Sequence, residues 1–158
     1  MDVDALRAAI GADPQARSLA EAGDDAGCAA RMRAILPPVV SSAHRAEGAI
    51  LLILGAADGD AALAAIESTA QAAPPDPRSA FAPVLSRIVR LIQSGAGVDF
   101  GEPSVRAMLD QLQAAEILQP SAVAKLKAAA ESPASVSADD VSRAWLIHRP
   151  GGILGGTD

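Results

Sequence analysis

Apolar residues recur along this chain at helical spacing, and the recurrences are separated by Gly, Pro and Asp. The clearest stripe is Phe81, Leu85, Ile88 and Ile92, with Arg87, Arg90 and Gln93 off it. Steps of three and four residues return to one face of a 3.6-residue helix. Upstream, a short helix fits Asp4 to Ile10 and stops at Gly11. Asp13-Pro14 reads as an N-cap followed by proline in the first helical position, opening a helix through Glu21. Gly23-Asp24-Asp25 restarts the chain for a helix to Leu36, which Pro37-Pro38 ends. Ser41 or Ser42 is the expected cap of the next helix, whose segment Ile50 to Leu54 is apolar nearly all round and reads as a buried central element. Asp58-Gly59-Asp60 reads as a break before an alanine-rich helix from Ala61 to Ala73.

Pro74-Pro75-Asp76-Pro77 is the strongest interruption and the expected place for a hinge. After the Phe81 stripe, Gly95-Ala96-Gly97 stops the chain and Gly101-Glu102-Pro103 starts a helix with Val105, Leu109 and Leu112 on one face. Pro120 to Glu131 carries Val123 and Leu126 inward. Ser137 with Asp140 three residues on resembles a capping box, opening a last helix with Val141 and Trp145 one turn apart. No stretch alternates long enough to predict a strand, and no internal repeat is present. The pattern predicts an all-α fold, a compact bundle of six to eight short helices in a single domain over residues 1–150, followed by a glycine-rich tail at 151–158. Phe81, Leu85, Ile88, Ile92, Phe100 and Trp145 are the expected core anchors.

Composition narrows the functional classes. The 158 residues are 50% hydrophobic but only 2% aromatic, without tyrosine, and carry a net charge of −6. The acidic balance argues against binding a phosphate backbone, which needs clustered Lys and Arg. Cys28 is the single cysteine, which excludes an internal disulfide and a cysteine-rich metal site. Met1-Asp2-Val3-Asp4 is acidic where a secretory leader would be basic, and the apolar run Ala49 to Ala57 is far shorter than a bilayer span. A soluble protein made in a reducing compartment, without membrane contact, is the expectation.

Each candidate for chemistry has a simpler structural reading. Cys28 and His44 are a nucleophile and a base by residue type, but no third group orients them. His44 and Glu47 are two metal-ligating types without further histidine nearby. Asp58-Gly59-Asp60 opens like a calcium loop, yet the remaining ligands do not follow at the required spacing. Arg78, Arg87, Arg90 and Arg106 form the local basic density, without the interleaved aromatics that stack nucleobases. No phosphate-binding glycine loop or nucleophile elbow occurs. The expectation is a non-enzymatic protein with no catalytic residues, no metal and no cofactor.

The order of signals from Val98 to Trp145 resembles small helical proteins encoded among the tail and late structural genes of tailed bacteriophages. The resemblance is carried by Val98-Asp99-Phe100-Gly101-Glu102-Pro103 and by the helix Val105 to Leu112. It continues in Ala114-Ala115-Glu116-Ile117-Leu118, Ala124-Lys125-Leu126-Lys127 and Ser137-Ala138-Asp139-Asp140-Val141. Glu116 stands where that pattern has glycine. The resemblance implies a structural component of the virion, made in the host bacterial cytoplasm, placed at the tail or tail tip and partnered by other virion proteins or copies of itself. An assembly chaperone or adaptor is the alternative, and a small bacterial enzyme or regulator a third. Independently, Ile153-Leu154, flanked by glycine pairs, suits insertion into a groove, so the tail is expected to dock on a partner.

Overall fold

The structure is a computed structural model and describes residues 2–146. The described residues divide into two compact units, one formed by residues 2–39 with 133–146 and the other by residues 40–132. The second is thus an insertion within the first, with boundaries at 39/40 and 132/133, whereas the 74–77 segment lies inside the inserted unit.

The outer unit contains α1 (Val3–Ala12), α2 (Pro14–Glu21), α3 (Asp25–Ile35) and α9 (Ala138–Trp145). Its caps are chemical. The Asp13 carboxylate accepts from the Ala16 N–H at 2.7 Å and from Arg31 at 2.8 Å, so one side chain both starts α2 and ties it to α3. Asp24 accepts from the Gly27 N–H to start α3. Ser137 and Asp140 form a reciprocal capping box at α9. Gly11 continues α1 rather than ending it. The core of this unit is Leu6, Ile10, Cys28, Met32, Val141 and Trp145 with small alanines between them. Arg7 donates to the Ala144 carbonyl at 2.8 Å and Arg33 to the Val136 carbonyl at 2.6 Å, which fix the distant C-terminal segment against α1 and α3.

The inserted unit runs through β2 (His44–Arg45), α4 (Glu47–Leu54), α5 (Ala56–Ala70), a 3₁₀ turn at Pro77–Ala80, α6 (Ala82–Gln93), β3 (Val98–Asp99), α7 (Pro103–Ala114) and α8 (Pro120–Ala128). β1 (Val39–Val40) and β4 (Glu131–Ser132) pair as a separate two-stranded ladder. β2 and β3 are antiparallel, with His44 opposite Asp99 and Arg45 opposite Val98. α5 packs against α4 and α6, and α8 closes on α4, α5 and α7. Leu85, Ile92, Phe100, Leu109, Leu112 and Leu126 are buried at the centre, with Phe81 and Ile88 partly buried against them.

The fold is mostly helical, but several expectations need correction. The described residues hold nine α-helices, not six to eight, together with strands of two residues each. α4 begins at Glu47 behind Ala46 and takes no cap from Ser41 or Ser42. Ser42 and its neighbour Ala43 instead donate to Asp99, at 2.6 Å and 2.7 Å, so this loop is pinned to β3. Consequently His44 lies in a strand and only Glu47 in the helix. Asp58-Gly59-Asp60 does not break the chain, because the turn sits at Gly55, with φ +90°, and α5 runs straight through. Gly59 is required by packing: a Cβ there would lie 2.8 Å from Leu51 Cδ2 and 3.0 Å from Leu51 Cα. Ile50–Leu54 is not buried all round either. Ile50 and Leu54 face the core, whereas Leu52 is 87% exposed. Phe100 and Trp145 anchor separate cores.

Candidate functional site

Asp99 gathers donors from three other residues in the inserted unit. Its carboxylate accepts from the Ser42 hydroxyl, the Ala43 N–H and the Gly101 N–H, the last at 2.9 Å. Those hydrogen bonds, with the Ser42 hydroxyl first, hold its pKa down to about 2. His44 Nδ1 is 3.9 Å from the same carboxylate. Ser, His and Asp therefore meet here, but in the wrong order for nucleophilic catalysis. In a triad the carboxylate orients the imidazole and the imidazole takes the hydroxyl proton. Here the Ser42 hydroxyl donates to Asp99, and the mostly exposed imidazole faces both groups through one nitrogen, Nδ1, 3.5 Å from the hydroxyl and 3.9 Å from the carboxylate, so the ring does not bridge them as a triad requires. The arrangement is a loop clasp, completed by Gly101, where a Cβ would collide with the Ser41 carbonyl.

The other sequence candidates do not converge. Cys28 is buried in the outer unit while His44 belongs to the inserted one. Burial first, and then the charges of Asp25, Asp24 and Asp13, push the Cys28 thiol pKa up, which opposes thiolate formation. Asp58 lies 3.7 Å from Lys125 Nζ, and Asp60 faces a different cleft, so the two carboxylates do not share a site. Among the described residues no cluster of three His, Cys, Asp or Glu is placed to hold a metal ion. Of the basic group, Arg78 pairs with Asp76 at 2.7 Å and Arg106 pairs with Glu131 while donating to the Lys127 carbonyl. Arg90 donates to the Ser86 carbonyl, and Arg87 is exposed on α6. No described helix is long and apolar enough to cross a membrane. Ile153 and Leu154 lie outside the described residues.

What the fold does assemble is a cleft of about 190 Å³ between α4, α5 and α6. Leu63, Ile66, Val89 and Ile92 provide its apolar surface, and Glu47, Asp60 and Glu67 stand around it. Asp60, Leu63, Ala64 and Glu67 fall on one face of α5, at the i, i+3, i+4 and i+7 positions. Glu67 accepts from Gln93 at 3.3 Å. Among the described residues none of these carboxylates has a cation within ion-pair distance. A second feature is apolar exposure. Val84 is 51% and Leu91 40% exposed on the outer face of α6, seven residues apart, while Leu85 and Ile92 fill its inner face.

Neither exposed feature was evident in the linear pattern. Asp60 reads as part of a break and Glu67 carries no signal of its own, because only tertiary packing brings α4 and α6 to the same stripe. The apolar face of α6 was half visible, since Val84 and Leu91 sit beside the stripe rather than on it. No protein-family model, curated protein or solved structure matches the chain.

Proposed function

We propose that this protein is a non-enzymatic, multi-copy structural component of a tailed-bacteriophage particle, placed at the tail or tail tip and acting through protein contacts. The observation that supports a contact role is apolar exposure on ordered helices. Leu52 on α4 is almost fully in water, and α6 carries Val84 and Leu91 opposite its buried face. An apolar side chain left in water gains about 1.5–3 kcal/mol when fully covered, so a partner surface over these positions is stabilised at once. The phage assignment is supported by the resemblance across residues 98–145. The geometry around Asp99 favours a clasp over a reacting site, in keeping with a role that needs no chemistry.

Mass spectrometry of purified particles from the host that encodes the chain tests the assignment. Peptides of this protein at a fixed stoichiometry to the tail proteins are the expected result. Their absence from the particles, with the protein abundant in the lysate, would overturn the structural role and leave the assembly chaperone in its place.

A further inference from the structure

The geometry points to a specific self-recognition site: the cleft between α4, α5 and α6 receives residues 148–154 of a second copy of this chain. This rests on the contact role proposed above and names its site and partner. The cleft presents Glu47, Asp60 and Glu67 without a cation among the described residues, beside an apolar surface. The cleft continues along α5 and α6 into a shallower hollow of about 400 Å³ that shares Glu67, Val89 and Gln93 and reaches Arg90. The groove therefore changes from acidic at one end to mixed at the other, with apolar side chains along its length.

Residues 148–154 read His-Arg-Pro-Gly-Gly-Ile-Leu. Their one fixed charge, Arg149, is cationic, and it precedes the apolar pair by four residues. An extended chain covers about 13 Å over that separation. Asp60 and Glu67 are seven residues apart on α5, a helical rise of about 10 Å. Arg149 set between Asp60 and Glu47 thus brings Ile153-Leu154 past Glu67 to the apolar surface beside Val89. A guanidinium is suited to such a site because it can hydrogen-bond two carboxylates at once. Pro150 removes a backbone donor that the apolar groove could not satisfy, and Gly151-Gly152 permits close backbone approach. Because each copy carries both halves, the contact is head-to-tail and generates a ring or a filament, the geometry a multi-copy particle component uses.

Sedimentation of the full chain over a concentration series tests this. The wild-type protein is expected to self-associate. Asp60→Lys with Glu67→Lys should weaken association about tenfold or more, as should Arg149→Glu, and combining all three should restore much of it. The first variant is discriminating, since it reduces the net negative charge of −6 and general repulsion alone would make it associate more tightly. Both acidic positions are exposed, and unchanged circular dichroism verifies that the variants fold. A monomer at every concentration, association indifferent to both reversals, or weakening without restoration each overturns the inference. Association that ignores the reversals leaves the contact role standing, whereas absence from particles removes the phage assignment whatever the cleft does.

Discussion

Replacing Glu116 by glycine should stabilise the inserted unit by about 0.5–1 kcal/mol, although it deletes a side chain and adds a flexible residue. α7 ends in a Schellman motif. The Ile117 N–H donates to the Leu112 carbonyl at 2.9 Å and the Glu116 N–H to the Gln113 carbonyl at 3.0 Å. The first residue past the cap must turn left-handed, and Glu116 does so with φ +56°. That conformation costs an L-residue with a Cβ about 1–2 kcal/mol, while glycine adopts it freely and loses about 0.5–1 kcal/mol more backbone entropy on folding. The difference favours glycine. The carboxylate forms none of the described hydrogen bonds that could offset the gain, and it sits at the negative end of a helix.

The same chain supplies the control. α2 ends in the same motif, with Gly23 at φ +79° and the Asp24 N–H donating to the Leu19 carbonyl at 2.9 Å. A Cβ at Gly23 would meet nothing within 4 Å, so Gly23→Ala isolates the backbone term and should cost about 1 kcal/mol. Urea unfolding followed by circular dichroism reads both changes as midpoint shifts at constant slope. Glu116→Ala removes the charge but keeps the strained backbone and should recover only a few tenths of a kcal/mol. If Glu116→Gly and Glu116→Ala gain equally, the strain argument is refuted and the charge alone explains the effect.

Other consequences are open to measurement. Trp145→Ala should cost the outer unit about 3–5 kcal/mol in urea unfolding, and an equally stable variant would show that the indole is not a core anchor. Asp99 has a folded pKa of about 2, lowered from 3.8, so its stabilisation is fully present above the unfolded value and is lost as pH falls from about 4 to about 2. Asp99→Asn should be less stable at neutral pH and lose that part of the acid dependence; an unchanged acid profile would contradict the clasp. Cys28 should react with a thiol reagent at neutral pH only at the rate of unfolding, and a rapid stoichiometric reaction of the folded protein would show the thiol is accessible.

Features set by neighbours in sequence were legible, and features set by contacts across the fold were not. Asp13, Asp24 and the Ser137–Asp140 pair act within three residues of themselves, so their caps follow from spacing alone. The stripe Leu85, Ile88 and Ile92 was legible for the same reason, since helical periodicity is a local property. Ser42 has the right chemistry and position for a helix cap, but its hydroxyl donates to Asp99, 57 residues away, instead. Gly59 looks like a break because a glycine in a helix is unfavourable, until Leu51 is seen to fill the space its Cβ would occupy. Each misreading exchanged a local signal for a partner that only folding supplies.

The insertion itself follows the same logic and bears on function. Prolines flank both boundaries, Pro37-Pro38 before Val39 and Pro133 after Ser132, yet the denser Pro74-Pro75-Asp76-Pro77 lies inside one unit, because proline marks a stiff turn whether or not a core ends there. The real boundary is defined by which apolar residues share a core. Met32 and Trp145, 113 positions apart, meet in the outer unit, while Phe81 and Leu126 belong to the other. With so few aromatics, each core relies on leucine, isoleucine and alanine, which bury less area per residue. Small cores leave little apolar material over, and yet Leu52, Val84 and Leu91 are left in water on two helices of the inserted unit. Their exposure withholds burial that the unit could use, so any surface that covered them would add to the stability of this fold.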